Sequence, residues 1–250
     1  MTPNNQDVAL DKAISSSSEN SLQNISSVPI EEHNPEYMHD TYDWAYVNPR
    51  NVNFLDKEWI VWVLLFCNAG RLKQRYLNLI KPSSHVWQVA HVYGNLVRQA
   101  AEKVGPQGEF HLTDVTPIQL EHATEKLKDM PWAKLVLSDA GDFESNQLYD
   151  TVCSFFLLHE VPNDIKKNVV ANMIRKMKPD GQMIFVDYHK PHILQPIGYI
   201  LRVVNKLLEP YAFALWDHEI AHFGLDTSIY HIEKETIFGG VYQILRVTKK

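Results

Sequence analysis

The chain has 250 residues, a hydrophobic content of 45% and a formal net charge of -6 at pH 7. This length suits one α/β domain with additional terminal segments, and the hydrophobic content is sufficient to form its core. The negative charge argues against a nucleic-acid partner, because binding to phosphates requires a basic surface.

The first 35 residues are predicted to be a disordered tail. The first 40 are rich in Ser, Asn and acidic residues, and Lys12 is their only lysine or arginine. Such a composition cannot bury enough apolar area to fold alone. It also lacks the Arg-rich pattern of a mitochondrial presequence and the apolar core of a secretory signal. We therefore expect the protein in a bacterial cytoplasm.

Residues 36 to 82 are predicted to form a helical lid. Pro49 to Ile80 has the pattern of one or two helices, with a break near Asn68-Ala69-Gly70. Within it, Trp59 to Cys67 is an uninterrupted apolar run, shorter than the ~20 residues that cross a bilayer. A helix that is apolar on all sides is either buried under the fold or in contact with lipid, and both alternatives stay open at this point.

From residue 83 to residue 250, predicted strands and helices alternate. Strands are predicted at His85–Ala90, Glu109–Thr113, Lys134–Leu137, Thr151–Leu157 and Gln182–Asp187. Helices are predicted at Gly94–Val104, Pro117–Asp129 and Asn163–Lys178, followed by a chain reversal at Pro179-Asp180-Gly181 with a positive φ at the glycine. This alternation predicts a parallel, doubly wound sheet that binds ligands at the carboxyl ends of its strands.

The last part of the chain is predicted to add an apolar helix, Ile193 to Leu208, and a hairpin. The hairpin segments, Ser228–Glu233 and Val241–Thr248, flank Phe238-Gly239-Gly240. A parallel sheet that finishes in an antiparallel hairpin is similar to the class I S-adenosylmethionine-dependent methyltransferase fold. The resemblance implies an α/β, Rossmann-like architecture with a mainly parallel seven-stranded sheet and an N-terminal helical lid.

The loop after the first strand departs from an ordinary nucleotide-binding loop. Residues 86 to 94 read Val-Trp-Gln-Val-Ala-His-Val-Tyr-Gly. Such a loop normally carries an acid at the position of Gln88 and glycines at those of Ala90 and Val92, and only Gly94 remains of that set.

The two strands that follow this loop each end at an acidic residue, as in an ordinary nucleotide-binding domain. Asp114-Val115 follows the second strand, about 20 residues after Gly94, where an acid accepts hydrogen bonds from a ribose diol. Asp139-Ala140 follows the third strand, where a carboxylate can receive an adenine amino group. The alternatives are a helix cap for Asp114 and an ordinary loop acid for Asp139. The loop lacks its acid and two of its glycines, whereas the acids after the next two strands are present. This combination suggests that the cofactor is retained and used differently.

Five runs in order along the chain carry a more specific resemblance. They are Thr41-Tyr42-Asp43-Trp44-Ala45-Tyr46, Gln88-Val89-Ala90-His91-Val92-Tyr93-Gly94, Asp114-Val115-Thr116-Pro117-Ile118-Gln119, Cys153-Ser154-Phe155-Phe156-Leu157-Leu158-His159-Glu160-Val161-Pro162 and Phe185-Val186-Asp187-Tyr188-His189. Together they resemble the rhodoquinone-biosynthesis protein family of bacteria and some anaerobic eukaryotes. The resemblance implies conversion of ubiquinone to rhodoquinone, in which an amino group replaces a ring methoxy group. It also implies S-adenosylmethionine as the amino donor, manganese(II) as the supporting metal and a function in anaerobic respiration.

The chemistry of the loop agrees with an amino donor. An acid at position 88 would favour the charged ammonium of the cofactor, which has no lone pair to attack a quinone ring. Gln88 removes that charge, so we hypothesise that it helps the amine to lose its proton. Val92 and Tyr93 add bulk that would shift the methionine end towards the substrate. Tyr42 and Tyr46, in the predicted lid, are expected to close over that end.

Acidic and imidazole side chains follow the fourth and fifth strands. His159 and Glu160 come after the fourth strand, and Asp187, Tyr188 and His189 come at the end of the fifth. Because these strand ends are neighbours in a doubly wound sheet, we expect the five side chains to form the catalytic centre. All of them except Tyr188 are candidate manganese ligands, and the bound cation would polarise a quinone carbonyl. The alternatives are a turn cap for Glu160 and a solvated loop position for His189.

A rival ligand set is formed by His218, Glu219 and His222, which share one predicted helical stretch and are otherwise a solvated face. The apolar helix Ile193–Leu208 and the run Trp59–Cys67 would form a channel for the polyprenyl tail of ubiquinone. Such a substrate lies in the bilayer, which implies peripheral contact with the cytoplasmic face of the inner membrane. Arg202 and Lys206 are placed to bind anionic headgroups, although core packing explains the apolar faces equally well.

Three functions remain open from the sequence. The first is amino transfer to a quinone. The second is an ordinary methyltransferase that acts on a quinone or another lipid, against which Gln88, Ala90 and Val92 argue. The third is a non-catalytic scaffold, against which Asp114 and Asp139 argue, since a scaffold needs neither acid.

Overall fold

A computed structural model describes residues 49–250. It begins with three helices, α1 (Pro49–Leu55), α2 (Glu58–Leu64) and α3 (Ala69–Leu79), where the sequence predicted one or two. The predicted break lies between α2 and α3. There the side-chain amide of Asn68 donates hydrogen bonds to the carbonyls of Leu65 and Phe66, just before α3 begins. The predicted tail of residues 1–35, and the lid residues Tyr42 and Tyr46, lie outside the described residues.

The rest of the described chain forms a sheet with helices on both faces. The strands are β1 (His85–Gln88), β2 (Glu109–Asp114), β3 (Ala133–Leu137), β4 (Tyr149–Phe155), β5 (Met177–Tyr188), β6 (Tyr230–Ile237) and β7 (Tyr242–Lys249). The helices are α4 (Leu96–Val104), α5 (Pro117–Leu127), α6 (Asn163–Lys176), α7 (Pro196–Leu208) and the short α8 (Ala214–Asp217).

The strand order is β3-β2-β1-β4-β5-β7-β6. Strands β1 to β5 are parallel, and β7 runs antiparallel to both β5 and β6. The predicted seven-stranded, mainly parallel sheet with a C-terminal hairpin is therefore confirmed. Because the chain order reverses between β1 and β4, the loops after these two strands diverge and leave a crevice at their carboxyl ends.

The chain reversal predicted at residues 179–181 is wrong. These residues lie inside β5, which begins at Met177, and the pairing of β4 with β5 shifts register between Tyr149 and Thr151 to accommodate the extra residues. Gly181 does not have the positive φ that was predicted. Its lack of a side chain is needed for another reason, because a Cβ there would lie 3.0 Å from the carbonyl oxygen of Tyr149.

Two further segments differ from the prediction. The apolar helix begins at Pro196 rather than at Ile193, since proline occupies the first turn of α7 and the side chain of Gln195 caps it. The predicted single helix through His218 and His222 is absent, because α8 ends at Asp217 and a separate 3-10 turn follows.

Both faces of the sheet are buried, as expected for parallel strands. On one face, Leu72 and Tyr76 of α3 pack with Val97 of α4, and on the other face Met173 of α6 packs with Phe223. This arrangement leaves the carboxyl ends of the strands as the accessible edge of the sheet. Within residues 49–250, no helix is long and apolar enough to cross a membrane.

Candidate functional site

A cavity of about 500 Å³ opens at the carboxyl ends of the parallel strands. The loops after β1, β2 and β3 bring polar side chains to its wall, whereas α2 and α7 contribute only apolar ones. The predicted cofactor residues that line it are Ala90, Val92, Tyr93, Asp114, Val115, Asp139 and Ala140. The apolar contribution of the two helices comes from Val61, Val63, Leu64, Leu201, Val204 and Leu208. The cavity therefore joins a polar set of strand-end residues to an apolar wall.

Asp114 is the most deeply placed acid of the cavity wall. One carboxylate oxygen accepts a hydrogen bond from the backbone N–H of His91 at 3.0 Å, and the other accepts from the backbone and the hydroxyl of Thr116 at 2.9 and 2.7 Å. Burial raises the pKa of Asp114 despite these bonds, which lower it. The hydrogen bonds from the protein therefore do not fully offset the loss of hydration of this carboxylate. Additional hydroxyl donors, such as those of a ribose diol, would stabilise its charged form.

Asp139 stands in the loop after β3. Its Oδ1 accepts a hydrogen bond from the backbone N–H of Gly141 at 2.7 Å, which holds the carboxyl group in place on the cavity wall. The next residue, Ala140, is 6% exposed and packs against the core. Two acids at the ends of adjacent strands, one for a ribose and one for an adenine amino group, fit the adenosine part of S-adenosylmethionine.

Gln88 does not line the cavity. Its side chain is 1% exposed, accepts a hydrogen bond from the hydroxyl of Tyr76 and donates one to the carbonyl of Ala90 at 3.1 Å. The residue therefore ties the loop after β1 to α3 and acts on the cavity through that loop. The carboxylates that line the cavity are Asp114, Asp139, Glu160 and Glu209, so the loop after β1 contributes none of them.

His91 is a cavity residue that the sequence analysis missed. Its Nδ1 lies 2.8 Å from the side-chain oxygen of Gln119, and its Nε2 lies 3.1 Å from the Lys126 ammonium. Burial, and then the positive charge of Lys126, lower the pKa of His91 to about 3. The ring is therefore neutral, with Nε2 accepting from Lys126 and Nδ1 donating to Gln119. Its partners lie on α5, and the sequence carried no local signal for them.

The amino end of α4 is closed by two acids, Asp56 between α1 and α2 and Glu58 at the start of α2. The backbone N–H of Gly94 donates to Asp56 at 2.8 Å, and that of Asn95 donates to Glu58. Carboxylates are favourable at this end of a helix because its free N–H groups carry partial positive charge. Gly94 has a φ of 79°, a conformation that glycine adopts without strain. These contacts fix the loop that follows β1 against the helices before the sheet.

His159 and Asp187 meet at the carboxyl ends of β4 and β5. The His159 Nδ1 lies 2.8 Å from Asp187 Oδ1, while Asp187 also accepts from the backbone N–H groups of Leu158 and Tyr188 at 2.9 and 2.8 Å. Burial lowers the pKa of His159, but the charge and hydrogen bond of Asp187 outweigh it and raise the value to about 9. His159 is therefore an imidazolium at neutral pH, with its Nε2 3.7 Å from Glu160 on the cavity wall.

The predicted manganese site is not assembled. Both oxygens of Asp187 are taken by protein donors, and this residue is fully buried. His189 points to the hairpin instead, since its Nδ1 donates to the carbonyl of Gly240 at 2.9 Å. Across residues 49–250, no group of three or more His, Cys, Asp or Glu side chains is placed to hold a metal, and this also excludes the rival set at His218 and His222. These residues do not fit manganese.

Aromatic rings surround His159. The Tyr188 ring lies edge-on to the imidazole at 4.7 Å between centroids, and the Phe156 ring does so at 5.6 Å. Tyr242 also stacks on Tyr188, at 5.6 Å between centroids. Burial raises the pKa of Tyr188 well above its usual range, so its hydroxyl stays neutral. Phe156 and Tyr188 line the cavity and offer a planar ligand an aromatic surface for edge or offset stacking.

Comparison with known proteins shows similarity to methyltransferases. Residues 86–181 match a family described as a methyltransferase domain. The chain is 26% identical over 185 residues to the ubiquinone/menaquinone biosynthesis C-methyltransferase UbiE of Stutzerimonas stutzeri, an alignment that covers 68% of each protein. It is 31% identical over 129 residues to UbiE of Ectopseudomonas mendocina, covering 48% of this chain and 49% of that one. The chain thus spans about half the length of the second relative and about two thirds of the first.

Solved structures share the same architecture. An O-methyltransferase family protein from Burkholderia thailandensis has a TM-score of 0.59 at 15% identity, covering 82% of this chain and 61% of that one. The N-methyltransferase NodS from Bradyrhizobium japonicum, in complex with S-adenosyl-L-homocysteine, has a TM-score of 0.52 at 13% identity, covering 86% of this chain and 99% of that one. The chain therefore has the Rossmann-like fold of class I methyltransferases.

Proposed function

We propose that this chain binds S-adenosylmethionine and uses it to modify the ring of a polyprenyl quinone, in the bacterial cytoplasm at the membrane. The observation that supports this most directly is the single cavity that joins Asp114 and Asp139 to the apolar wall of α2 and α7. A polar nucleoside and an isoprenoid chain require these two kinds of surface, and a cavity of this size and composition is typical of a small-molecule site.

Asp114 would hold the ribose and Asp139 the adenine amino group of the cofactor, which supplies an activated methyl group and an amino group. Both acids stand at strand ends next to the crevice of the sheet. The two relatives named above are quinone C-methyltransferases by description, and this agrees with a quinone substrate for the same fold.

For the transferred group, we propose the replacement of a ring methoxy group by the amino group. In that exchange the amine nitrogen would form a C–N bond at the ring carbon while the C–O bond breaks, and methanol would leave with one proton of the amine. The bond between this nitrogen and its Cα would then break by oxidation at Cα: the quinone ring would take up the two electrons, water would supply the oxygen, and the rest of the cofactor would leave as a 2-oxo acid. The aminoquinol formed in this way would return to the aminoquinone on oxidation in air. The amine must be uncharged to attack. Gln88 supports this requirement, because it is held by Tyr76 and Ala90 and brings no negative charge to the loop after β1.

His159 is the residue placed to act on the quinone. As an imidazolium held by Asp187, it can donate a hydrogen bond from Nε2 to a quinone oxygen. This withdraws electrons from the ring and makes the neighbouring carbon more electrophilic, in the manner of other preorganised donors. Tyr188 and Phe156 would stack against the ring, while the prenyl tail would extend along α2 and α7.

A second candidate is methyl transfer to a ring carbon of the reduced quinone, which the relatives' descriptions favour. The same imidazolium would then stabilise the negative oxygen of the quinol. An unsubstituted ring carbon would take the methyl group as its bond to the sulfonium sulfur breaks, and this carbon would lose its hydrogen as a proton. The adenosine-binding acids serve both reactions, whereas the uncharged Gln88 favours amino transfer.

Product mass separates the two reactions. The purified protein is incubated with S-adenosylmethionine and either a short-tailed ubiquinone or a short-tailed quinol that has an unsubstituted ring carbon. Each reaction is run with and without added manganese, and the quinones are analysed by mass spectrometry. Amino transfer gives a product lighter by about 15 mass units, and a heavy isotope on the cofactor's amino nitrogen adds about one unit to it. A product heavier by about 14 mass units establishes methyl transfer instead. Failure to bind the cofactor in a calorimetric titration would contradict both.

A further inference from the structure

Two helices that line the cavity also carry apolar side chains on their outer surfaces. The most exposed large hydrophobic residues of the described chain are Leu194, Ile193 and Leu207, at 82%, 77% and 73%. Monomeric soluble proteins seldom expose a continuous apolar patch of this kind without a partner for it. We call this patch the outer apolar surface; its members are Phe54, Trp59, Trp62 and Val63 near α2 and Ile193, Leu194, Tyr199, Ile200, Val203 and Leu207 near α7.

Helix α7 is apolar on both of its faces. Leu201 and Asn205 face the interior, while Tyr199, Val203 and Leu207 follow one another at a spacing of four residues and are all more than half exposed. Such a spacing places them on one side of the helix, opposite to the buried residues. A helix that only packs onto its own domain needs one apolar face, so the second face indicates an apolar environment outside the protein.

The segment that contains α7 is positively charged, although the whole chain is negative. Between Asp187 and Glu209 the sequence contains three lysines or arginines, Lys190, Arg202 and Lys206, and no acidic residue. Arg202 and Lys206 are exposed and lie one turn apart, along the edge of the apolar face of α7. Basic residues beside an apolar helical face are the arrangement that binds to an anionic bilayer surface.

The part near α2 has the side chains that favour the interface of a bilayer. Trp59 and Trp62 are at least half exposed, and Phe54 lies edge-on to Trp59 at 6.2 Å between ring centroids. Tryptophan is enriched at the headgroup level of membranes because its ring is amphipathic. Val63 of this helix and Leu208 at the end of α7 both line the cavity, so the two parts of the surface lie beside the same opening.

We infer that the outer apolar surface docks onto the headgroup region of a bilayer that contains anionic lipid, with the cavity next to the membrane. The inference stands on exposure and charge alone, and the quinone chemistry proposed above is not needed for it. A second copy of this chain is the competing occupant, but self-association gives the basic edge no anionic partner, because the same edge is present on both copies.

The test is co-sedimentation of the full chain with large vesicles of phosphatidylcholine, with and without phosphatidylglycerol. We expect binding that depends on phosphatidylglycerol and falls as salt is added. A triple substitution, Ile193→Ser, Leu194→Ser and Leu207→Ser, should weaken it by about tenfold or more. The matched control is Leu148→Ser with Ile229→Ser, which removes exposed apolar residues at the opposite edge of the sheet and should leave binding unchanged.

Two further measurements complete the test. Brominated lipids should quench tryptophan fluorescence of the full chain, and substitution of both Trp59 and Trp62 by Phe should remove most of that quenching. Absence of binding to anionic vesicles, or equal binding by the triple variant, overturns the inference. The surface is instead a self-association site if light scattering shows a dimer of the wild type, the triple variant is monomeric, and neither protein binds vesicles. Neither result depends on whether a quinone is modified.

Discussion

His159 and Asp187 form a buried pair, 2.8 Å apart between Nδ1 and Oδ1, that joins the carboxyl ends of β4 and β5. Asp187 also receives the backbone N–H of Leu158, so one carboxylate fixes both the imidazole and the turn that carries it. Asp187 keeps the imidazole of His159 protonated on the wall of a largely apolar cavity. This charge is the basis of the proposed action on a quinone oxygen.

The stability of the protein should depend on pH through this pair. Because the pKa of His159 is raised to about 9 in the folded protein, its contribution is full below about pH 6.5, the value for an unfolded chain, and is lost as pH rises through 9. The difference in unfolding free energy between the wild type and His159→Gln should shrink by on the order of 3 kcal/mol over this range. Urea denaturation at several pH values measures it. Taking the difference removes only the titration of groups that do not interact with the pair. The pKa of Lys166, which burial lowers to about 8, is also raised by the charge of Asp187. If the difference in unfolding free energy stays constant with pH, His159 and Asp187 do not form an ion pair in the folded protein.

Asp114→Asn should weaken the binding of S-adenosylmethionine by about 1 to 3 kcal/mol, since a charged acceptor for a buried diol becomes neutral. Isothermal titration calorimetry gives the dissociation constant. Asp129→Asn is the control, because Asp129 is exposed and pairs with Arg98 away from the cavity. The thermal midpoint should be recorded for both, as Asp114 also organises the backbone of His91 and Thr116. If both variants bind S-adenosylmethionine with the same affinity, Asp114 is not part of the cofactor site.

Gln88→Glu should move the pH dependence of amino transfer to higher pH. The new carboxylate would favour the charged form of the amine, so more base is needed to release its proton. Gln88→Met removes the hydrogen bonds to Tyr76 and Ala90 without adding charge, and it serves as the matched control. Rate profiles from pH 6 to pH 9.5 (about the range in which amines of lowered pKa titrate) compare the two. If both variants lose rate without a shift of the profile, Gln88 acts only by holding the loop.

Val204→Phe should raise the KM for a long-tailed quinone by about tenfold and affect a tailless quinone much less, because Val204 lines the apolar wall of the cavity. Ile229→Phe is the control, because Ile229 is 45% exposed and precedes the edge strand β6, away from the cavity. The affinity for S-adenosylmethionine should not change in either variant. An equal effect on both quinones would place the tail elsewhere.

A protein that begins at Pro35 should retain its thermal midpoint and its turnover. The reason is compositional, since the first residues are rich in polar side chains and carry no motif. Differential scanning calorimetry and the product assay compare it with the full chain. A drop of the midpoint by more than about 4 °C would correspond to roughly 1 kcal/mol or more of lost stability and would contradict this prediction.

The sequence alone determined the order of the elements and the position of the acids along the chain. The alternation of apolar strands with amphipathic helices predicted the parallel sheet, and the apolar segments around residues 238–240 predicted its antiparallel end. The positions of Asp114 and Asp139 were predicted for the same reason, because each lies at or within two residues of the end of a strand whose pattern is visible locally. The position at which a strand ends determines at which edge of the sheet the next residue lies.

Only the tertiary structure decided which partners these residues have. The closure of α4 by Asp56 and Glu58, and the bond between Gln88 and Tyr76, join parts of the chain that no local pattern connects. Asp187 was predicted to bind a metal, yet its oxygens are used by nearby N–H groups and by His159. The direction of a side chain at the end of a strand depends on the donors that surround it. Those donors come from elements that meet only after folding, so their geometry is a property of packing rather than of sequence pattern.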